Sequence, residues 1–297
     1  MKKVISRESS GIRLEDIQIR DPYFLLEGGA YYLYGSTDKD IWRGGTGFDA
    51  YRGGGTEELD GPFPVFRPDA GFWSEKNFWA PEVYPLNGAY YMFATFKPKA
   101  GRRGTAVLRA ENPLGPFVPI TDEPVTPPER ECLDGSLWIE NETCYMAFCH
   151  EWQQIGDGTV CAMRLSPDLT KAAGEPVTLF AASSAPWAYP LAGRAPGSYV
   201  TDGPNLLRGP DGALYMLWSS FGADGRYCLG YARSDSGGLF EPWEQQPEPL
   251  VSGGGHGMFF RDESERLYIA FHSPNDTPNE RCQVRGAAIK GGKLFLL

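Results

Sequence analysis

The stretch RDPYFLLEGGAYYLYGST, Arg20 to Thr37, leads from a charged pair into an apolar run, breaks at Glu27-Gly28-Gly29 and returns as an aromatic run. Consecutive glycines between two such runs mark a tight β-hairpin, because both central residues of a two-residue turn need positive φ. The unit returns four times, as APEVYPLNGAYYMFATF (Ala80 to Phe96), LDGSLWIENETCYMAFCHE (Leu133 to Glu151), TDGPNLLRGPDGALYMLWSS (Thr201 to Ser220) and GHGMFFRDESERLYIAFHS (Gly255 to Ser273). Turn sequences such as Leu86-Asn87-Gly88 and Pro210-Asp211-Gly212 separate the two runs again, and amphipathic third strands follow from Thr105, Thr159, Cys228 and Cys282. A polar residue stands at the head of each unit: Asp21, Glu82, Asp134, Asp202 and His256, 52 to 68 positions apart.

Five supersecondary units, none able to bury both faces alone, predict an all-β fold closed into a ring: a single five-bladed β-propeller over residues 1–297. The spacing fits propeller repeats of about 40–50 residues with loop insertions. A β-sandwich also uses short strands, but it gives no reason for the same polar position at the head of every repeat. Composition agrees, since 37 glycines, 25 prolines, 17 phenylalanines and 15 tyrosines suit short strands and tight turns.

With 28 basic against 38 acidic side chains the chain carries a formal charge of -10, so it offers no general attraction to nucleic acid or to anionic membranes. A neutral small molecule is the expected partner, and oligomeric state is left open. MKKVISRESS turns polar before any apolar leader begins, and the chain reads as cytoplasmic. The six cysteines, Cys132, Cys144, Cys149, Cys161, Cys228 and Cys282, lack paired metal-ligand spacing and read as buried thiols. Gly53-Gly54-Gly55 has no Lys-Ser/Thr after it and reads as a loop. No organic cofactor is implied.

In a propeller the first strand of each blade lines the central channel, so the five leading residues should converge at one end. Singly, an Asp-Pro or Asp-Gly is a turn residue. Clustered, carboxylates raise one another's pKa, and a protonated carboxyl beside an ionised one is what glycosidic cleavage needs. Trp79 and Trp152 offer apolar faces for sugar C–H groups, while Phe78 reads equally as core.

These residues resemble glycoside hydrolase family 43, five-bladed propellers acting mainly on arabinose- and xylose-containing saccharides. The resemblance rests on Arg20-Asp21-Pro22, Trp79-Ala80-Pro81-Glu82, Leu133-Asp134-Gly135-Ser136, Thr201-Asp202-Gly203-Pro204 and Gly255-His256-Gly257, in that order along nearly the whole chain. It implies an inverting hydrolase with Asp21 as general base and Asp134 orienting the acid. The acid position holds Asp202 where the family usually has glutamate, one methylene longer, which keeps Glu151 open as an alternative acid. Glu82, where the family often has aspartate, is expected to bind a sugar hydroxyl. The resemblance also implies that Arg281 contacts substrate and that His256 approaches a calcium ion through waters, although calcium prefers oxygen ligands.

The expected activity is exo-acting, removing α-L-arabinofuranosyl or β-D-xylosyl units from short oligosaccharides. The connections Gly44 to Phe66 and Ser183 to Ser198 are expected to wall the pocket. An endo-arabinanase, a catalytically weak sugar-binding propeller and a protein-interaction scaffold are the alternatives.

Overall fold

The computed structural model describes residues 11–297; the opening stretch Met1–Ser10, on which the expectation of a cytoplasmic chain rests, lies outside the described residues. Five antiparallel sheets form the blades, and their inner strands are Arg20–Glu27, Ser74–Leu86, Cys132–Glu140, Asp202–Arg208 and Gly255–Arg261. These strands pack against one another around the channel, the fifth against the first. Each is followed outward by its second strand: Ala30–Ser36, Ala89–Pro98, Thr143–His150, Leu214–Phe221 and Leu267–Ser273.

The hairpin turns follow the local sequence. Gly28 and Gly29 have φ of 57° and 75°, Asn87 and Gly88 50° and 78°, and Gly291 and Gly292 55° and 74°. Positive φ at both central residues matches the right-handed twist of the flanking strands. The core lies between blades. Phe48, Phe66, Phe72, Phe78 and Phe96 stack between blades 1 and 2 with ring centroids 4.9 to 6.2 Å apart, which makes Phe78 a core residue. All six cysteines are free and buried.

Gly44 to Phe66 is not an insertion: it holds Phe48–Gly53 and Glu58–Phe66, the third and fourth strands of blade 1, whose outer edge gains Ile12–Arg13. Among the described residues no strand is shared between the first and last blades. The segment Gln18–Arg20 closes the ring instead, with Gln18 bridged to Arg281, Ile19 N–H donating to Glu280 O at 3.2 Å, and Arg20 Nη1 donating to Glu280 Oε1 at 2.8 Å. The Glu280 side chain is fully buried, so removing it orphans a buried guanidinium.

At the head of every inner strand the register against the second strand slips by a two-residue bulge. The first bulge residue is left-handed each time: Asp21 at φ 52°, Ala80 at 46°, Asp134 at 57°, Gly203 at 56° and His256 at 52°. This redefines which residues are equivalent. Ala80, not Glu82, is the partner of Asp21 in blade 2, and Gly203, not Asp202, is its partner in blade 4. Polarity marked the repeat in the sequence, whereas a bulge is set by backbone register and re-aims the side chains around it.

A left-handed conformation costs a residue with a Cβ about 1–2 kcal/mol. At Gly203 a Cβ would also stand 2.8 to 3.0 Å from the His256 ring. Gly203→Ala is therefore expected to displace His256, lowering turnover on the order of 100-fold for a shift near 1 Å, with a reduced melting temperature. Steady-state kinetics and a thermal melt check both.

Candidate active site

An open cleft of about 880 Å³ sits at one end of the channel. Asp21, Asp134, Asp202, Glu151, His256, Trp79 and Trp152 all line it, so seven side chains singled out in the sequence do converge. The Ser183–Ser198 connection also contributes to its wall through Leu191, Ala192 and Arg194, as expected.

Asp21 is held as an anion. Burial pushes its pKa up, but His256, Arg20 and His272, with the Ser36 hydrogen bond, outweigh burial and bring it down to about 2. Its Oδ1 lies 3.2 Å from His256 Nδ1 and 4.0 Å from Arg20 Nε, and its Oδ2 accepts the Ser36 hydroxyl at 2.6 Å. His272 Nδ1 accepts the Asp21 N–H at 3.2 Å, and its Nε2 faces Asn275 Oδ1 at 3.2 Å. Burial, then Arg20, pushes His272 down to about 3, so at neutral pH its 3.5 Å approach to the Asp21 carboxylate is not an ion pair, and it acts as a cation only in the acid range where Asp21 titrates.

Asp134 and Asp202 behave oppositely. Burial raises Asp134 first and the Asp21 charge adds to it, while the Gly203 N–H, donating to Asp134 Oδ2 at 3.0 Å, opposes the rise. Asp202 is raised by burial and then by Asp134 and Glu151. Two neighbouring carboxylates, Asp134 buried and Asp202 half-buried, retain a proton between them into the neutral range. The Tyr227 hydroxyl donates to Asp202 Oδ2 at 2.9 Å. Glu151 is placed differently, its Oε2 accepting from Arg103 Nη1 at 2.8 Å in a buried ion pair. Burial raises the Glu151 pKa as well, but Arg103 opposes the rise, and a carboxyl so paired is a poorer proton donor than Asp202, which makes no ion pair among the described residues and is opposed only by the more distant His256 and the Tyr227 hydroxyl.

Two sequence expectations are corrected. Glu82 does not line the cleft; the first residue past the bulge, it lies inside the channel wall, where it accepts from the Tyr84 hydroxyl and, at 3.5 Å, from Asn205 Nδ2. Burial lifts it to about 7, and its side-chain hydrogen bonds are internal. Arg281 also stands outside the cleft, its Nη1 donating to the carbonyls of Glu280 at 2.8 Å and Pro278 at 3.3 Å. Closure of the ring through Gln18 draws it to the seam.

Among the lining residues that the sequence did not single out, Arg20, Arg103 and Trp42 bear most on the site. Arg20 is the first letter of the Arg-Asp-Pro motif, and it approaches Asp21. Arg103 pairs with Glu151 and lies over the Trp79 ring at 4.7 Å; only tertiary structure brings them together. Trp42, 58% exposed, meets Trp79 edge-on at 5.3 Å and offers a second aromatic face at the rim. A tryptophan in a polar, glycine-rich connection was the available signal.

For calcium the donor set does not fit direct coordination. His256 Nδ1 faces Asp21 and, at 3.8 Å, Asp134 Oδ2, and among the described residues no three His, Cys, Asp or Glu side chains gather as a metal cage.

Residues 16–290 match the family described as glycosyl hydrolases family 43. Among solved structures, an endo-arabinase from Bacteroides thetaiotaomicron VPI-5482 is 38% identical, with a TM-score of 0.90 over 96% of this chain and 100% of that one. A thermostable family-43 glycoside hydrolase aligns at 23% identity and TM-score 0.78, covering 94% and 92% of the two chains. An α-L-arabinofuranosidase from Lactobacillus brevis aligns at 16% and 0.74, over 96% and 97%; identities this low speak for the fold. Comparison with curated proteins finds no match. The match across nearly every blade, with the acidic cleft it contains, makes the chain a member of glycoside hydrolase family 43.

Proposed function

We propose that this glycoside hydrolase cleaves α-L-arabinofuranosyl linkages of short oligosaccharides with inversion of configuration, β-D-xylosyl linkages being its next substrate class. One observation carries the reading: an anionic Asp21, braced by His256 and Arg20, faces the same cleft as a carboxyl pair that keeps a proton. Asp21 takes a proton from water as the water attacks the anomeric carbon. Asp202 gives its proton to the departing glycosidic oxygen, and Asp134 orients Asp202 and raises its pKa. Trp79, Trp42 and Trp152 pack against sugar C–H faces.

Release of terminal units is the mode expected from the sequence. Internal cleavage is the second reading, and the rim favours it. Loops beyond the second strands of blades 1, 2, 3 and 5 line the cleft, whereas the blade 4 turn, Gly222–Arg226, adds no lining residue. The relative at 38% identity is named an endo-arabinase.

Proton NMR of the protein with α-1,5-arabino-oligosaccharides, and separately with β-1,4-xylo-oligosaccharides, is the test. Arabinose appearing first as the inverted anomer supports terminal release, and shorter oligosaccharides appearing first support internal cleavage. Retained configuration refutes the Asp21 role. Binding of either sugar without release points to the sugar-binding propeller instead.

A further inference from the structure

The five bulges are tied to their neighbours by one repeated hydrogen bond with one exception. The N–H of the left-handed residue donates to a side chain of the preceding blade: Ala80 to Ser36 Oγ at 2.9 Å, Asp134 to Thr95 Oγ1 at 2.8 Å, His256 to Ser219 Oγ at 2.8 Å and Asp21 to His272 Nδ1 at 3.2 Å. These four acceptors share one register position on the second strands, paired with Arg20, Trp79, Asp202 and Gly255 in their own blades. In blade 3 that position, paired with Leu133, is Cys149. A thiol is a weak acceptor, and the Gly203 N–H goes instead to Asp134 Oδ2 at 3.0 Å.

We propose that Cys149 is a positioning residue for Asp134: by withholding the acceptor present at the other four junctions, it leaves the Gly203 N–H to the Asp134 carboxylate. The inference rests on the roles proposed above for Asp134 and Asp202. Its consequence is geometric. Gly203 adjoins Asp202, so the one bond ties the orienting carboxylate to the backbone that carries the acid. A serine, threonine or histidine at position 149 would join blades 3 and 4 as the other blades are joined, and would take that donor away. Gly203 itself admits no Cβ beside His256, and its N–H stands 3.0 Å from Asp134 Oδ2.

The charged and titratable groups around Asp134 come from every blade: Asp21, Arg103, Glu151, Asp202 and His256. The thiol of the fully buried Cys149 is itself held neutral by burial, with the Asp134 and Asp202 charges adding to the rise of its pKa, so its substitution removes no charge and a difference between variants reports the acceptor.

The experiment compares C149S and C149T, which supply a hydroxyl, with C149A, which does not. The hydroxyl variants are expected to lose activity on an arabino-oligosaccharide by on the order of ten- to a hundredfold, the worth of one hydrogen bond to a charged group, with the alkaline limb of the pH profile moved upward. C149A is expected to keep the wild-type rate and limb. Equal losses in C149A and C149S would overturn the proposal, since packing alone would then explain both.

A second readout does not require hydrolysis. With glycine-selective 15N labelling, the Gly203 amide proton shift should follow the ionisation of the carboxyl it bonds in the wild type and in C149A, and should not in C149S or C149T. The same titration in all variants, or none in the wild type, overturns the proposal. If the wild type hydrolyses neither saccharide, the functional reading fails while the amide titration still decides the role of Cys149.

Discussion

Asp21→Asn is expected to reduce turnover of an arabino-oligosaccharide by about 100- to 10,000-fold, the range a positioned general base contributes, while the propeller still folds. Asparagine keeps the volume, and its amide oxygen still accepts the Ser36 hydroxyl that Asp21 Oδ2 accepts at 2.6 Å. Arg20 is not orphaned, because its Nη1 remains on Glu280 at 2.8 Å. What disappears is the charge that accepts a proton from water. Steady-state hydrolysis with a thermal melt on the same samples checks this. Turnover within tenfold of wild type would remove Asp21 as the base.

The second large effect separates the two candidate acids. Asp202→Asn should lower turnover of an arabino-oligosaccharide by a similar 100- to 10,000-fold and lower that of a nitrophenyl glycoside far less, because nitrophenolate departs without a proton. Glu151→Gln should depress both substrates alike, since it acts by unpairing Arg103 from the Glu151 Oε2 now 2.8 Å away. The pH profile follows from the same groups. Asp21, ionised above about 2, leaves activity intact down into acid. Activity is lost as pH rises through the neutral range, because the Asp134 and Asp202 pair then gives up its shared proton. Asp202→Asn should abolish that alkaline limb. A leaving-group dependence in Glu151→Gln and not in Asp202→Asn would transfer the acid role to Glu151.

Much of this was legible in the chain because it is local and repeated. Glycine and asparagine turns state where hairpins close, and five returns of one hairpin leave a ring as the arrangement that buries both faces of each sheet. Acidic motifs before the inner strands mark the cleft, since the start of an inner strand must lie at one end of the channel. The three tryptophans show where such reading stops. Trp79 and Trp152 border the motifs and were found, whereas Trp42 reaches the same cleft from the connection after the second strand of blade 1 and was not.

Sequence alone thus determined the all-β class, the five blades and the identities of Asp21, Asp134, Asp202 and His256 as one constellation, because each depends on short-range patterns that recur. Tertiary structure decided the rest. Which residue of each motif is left-handed depends on pairing with another strand, so it placed Glu82 in the channel wall and made Gly203, not Asp202, the fourth bulge residue. Arg103 meets Glu151 across 48 positions, and Arg281 is drawn to the seam, because ring closure brings together residues with no periodic relation along the chain. The protonation pattern is tertiary as well: like carboxyls became an anion at Asp21 and a proton-holding pair at Asp134 and Asp202 through burial and through neighbouring charges supplied by other blades.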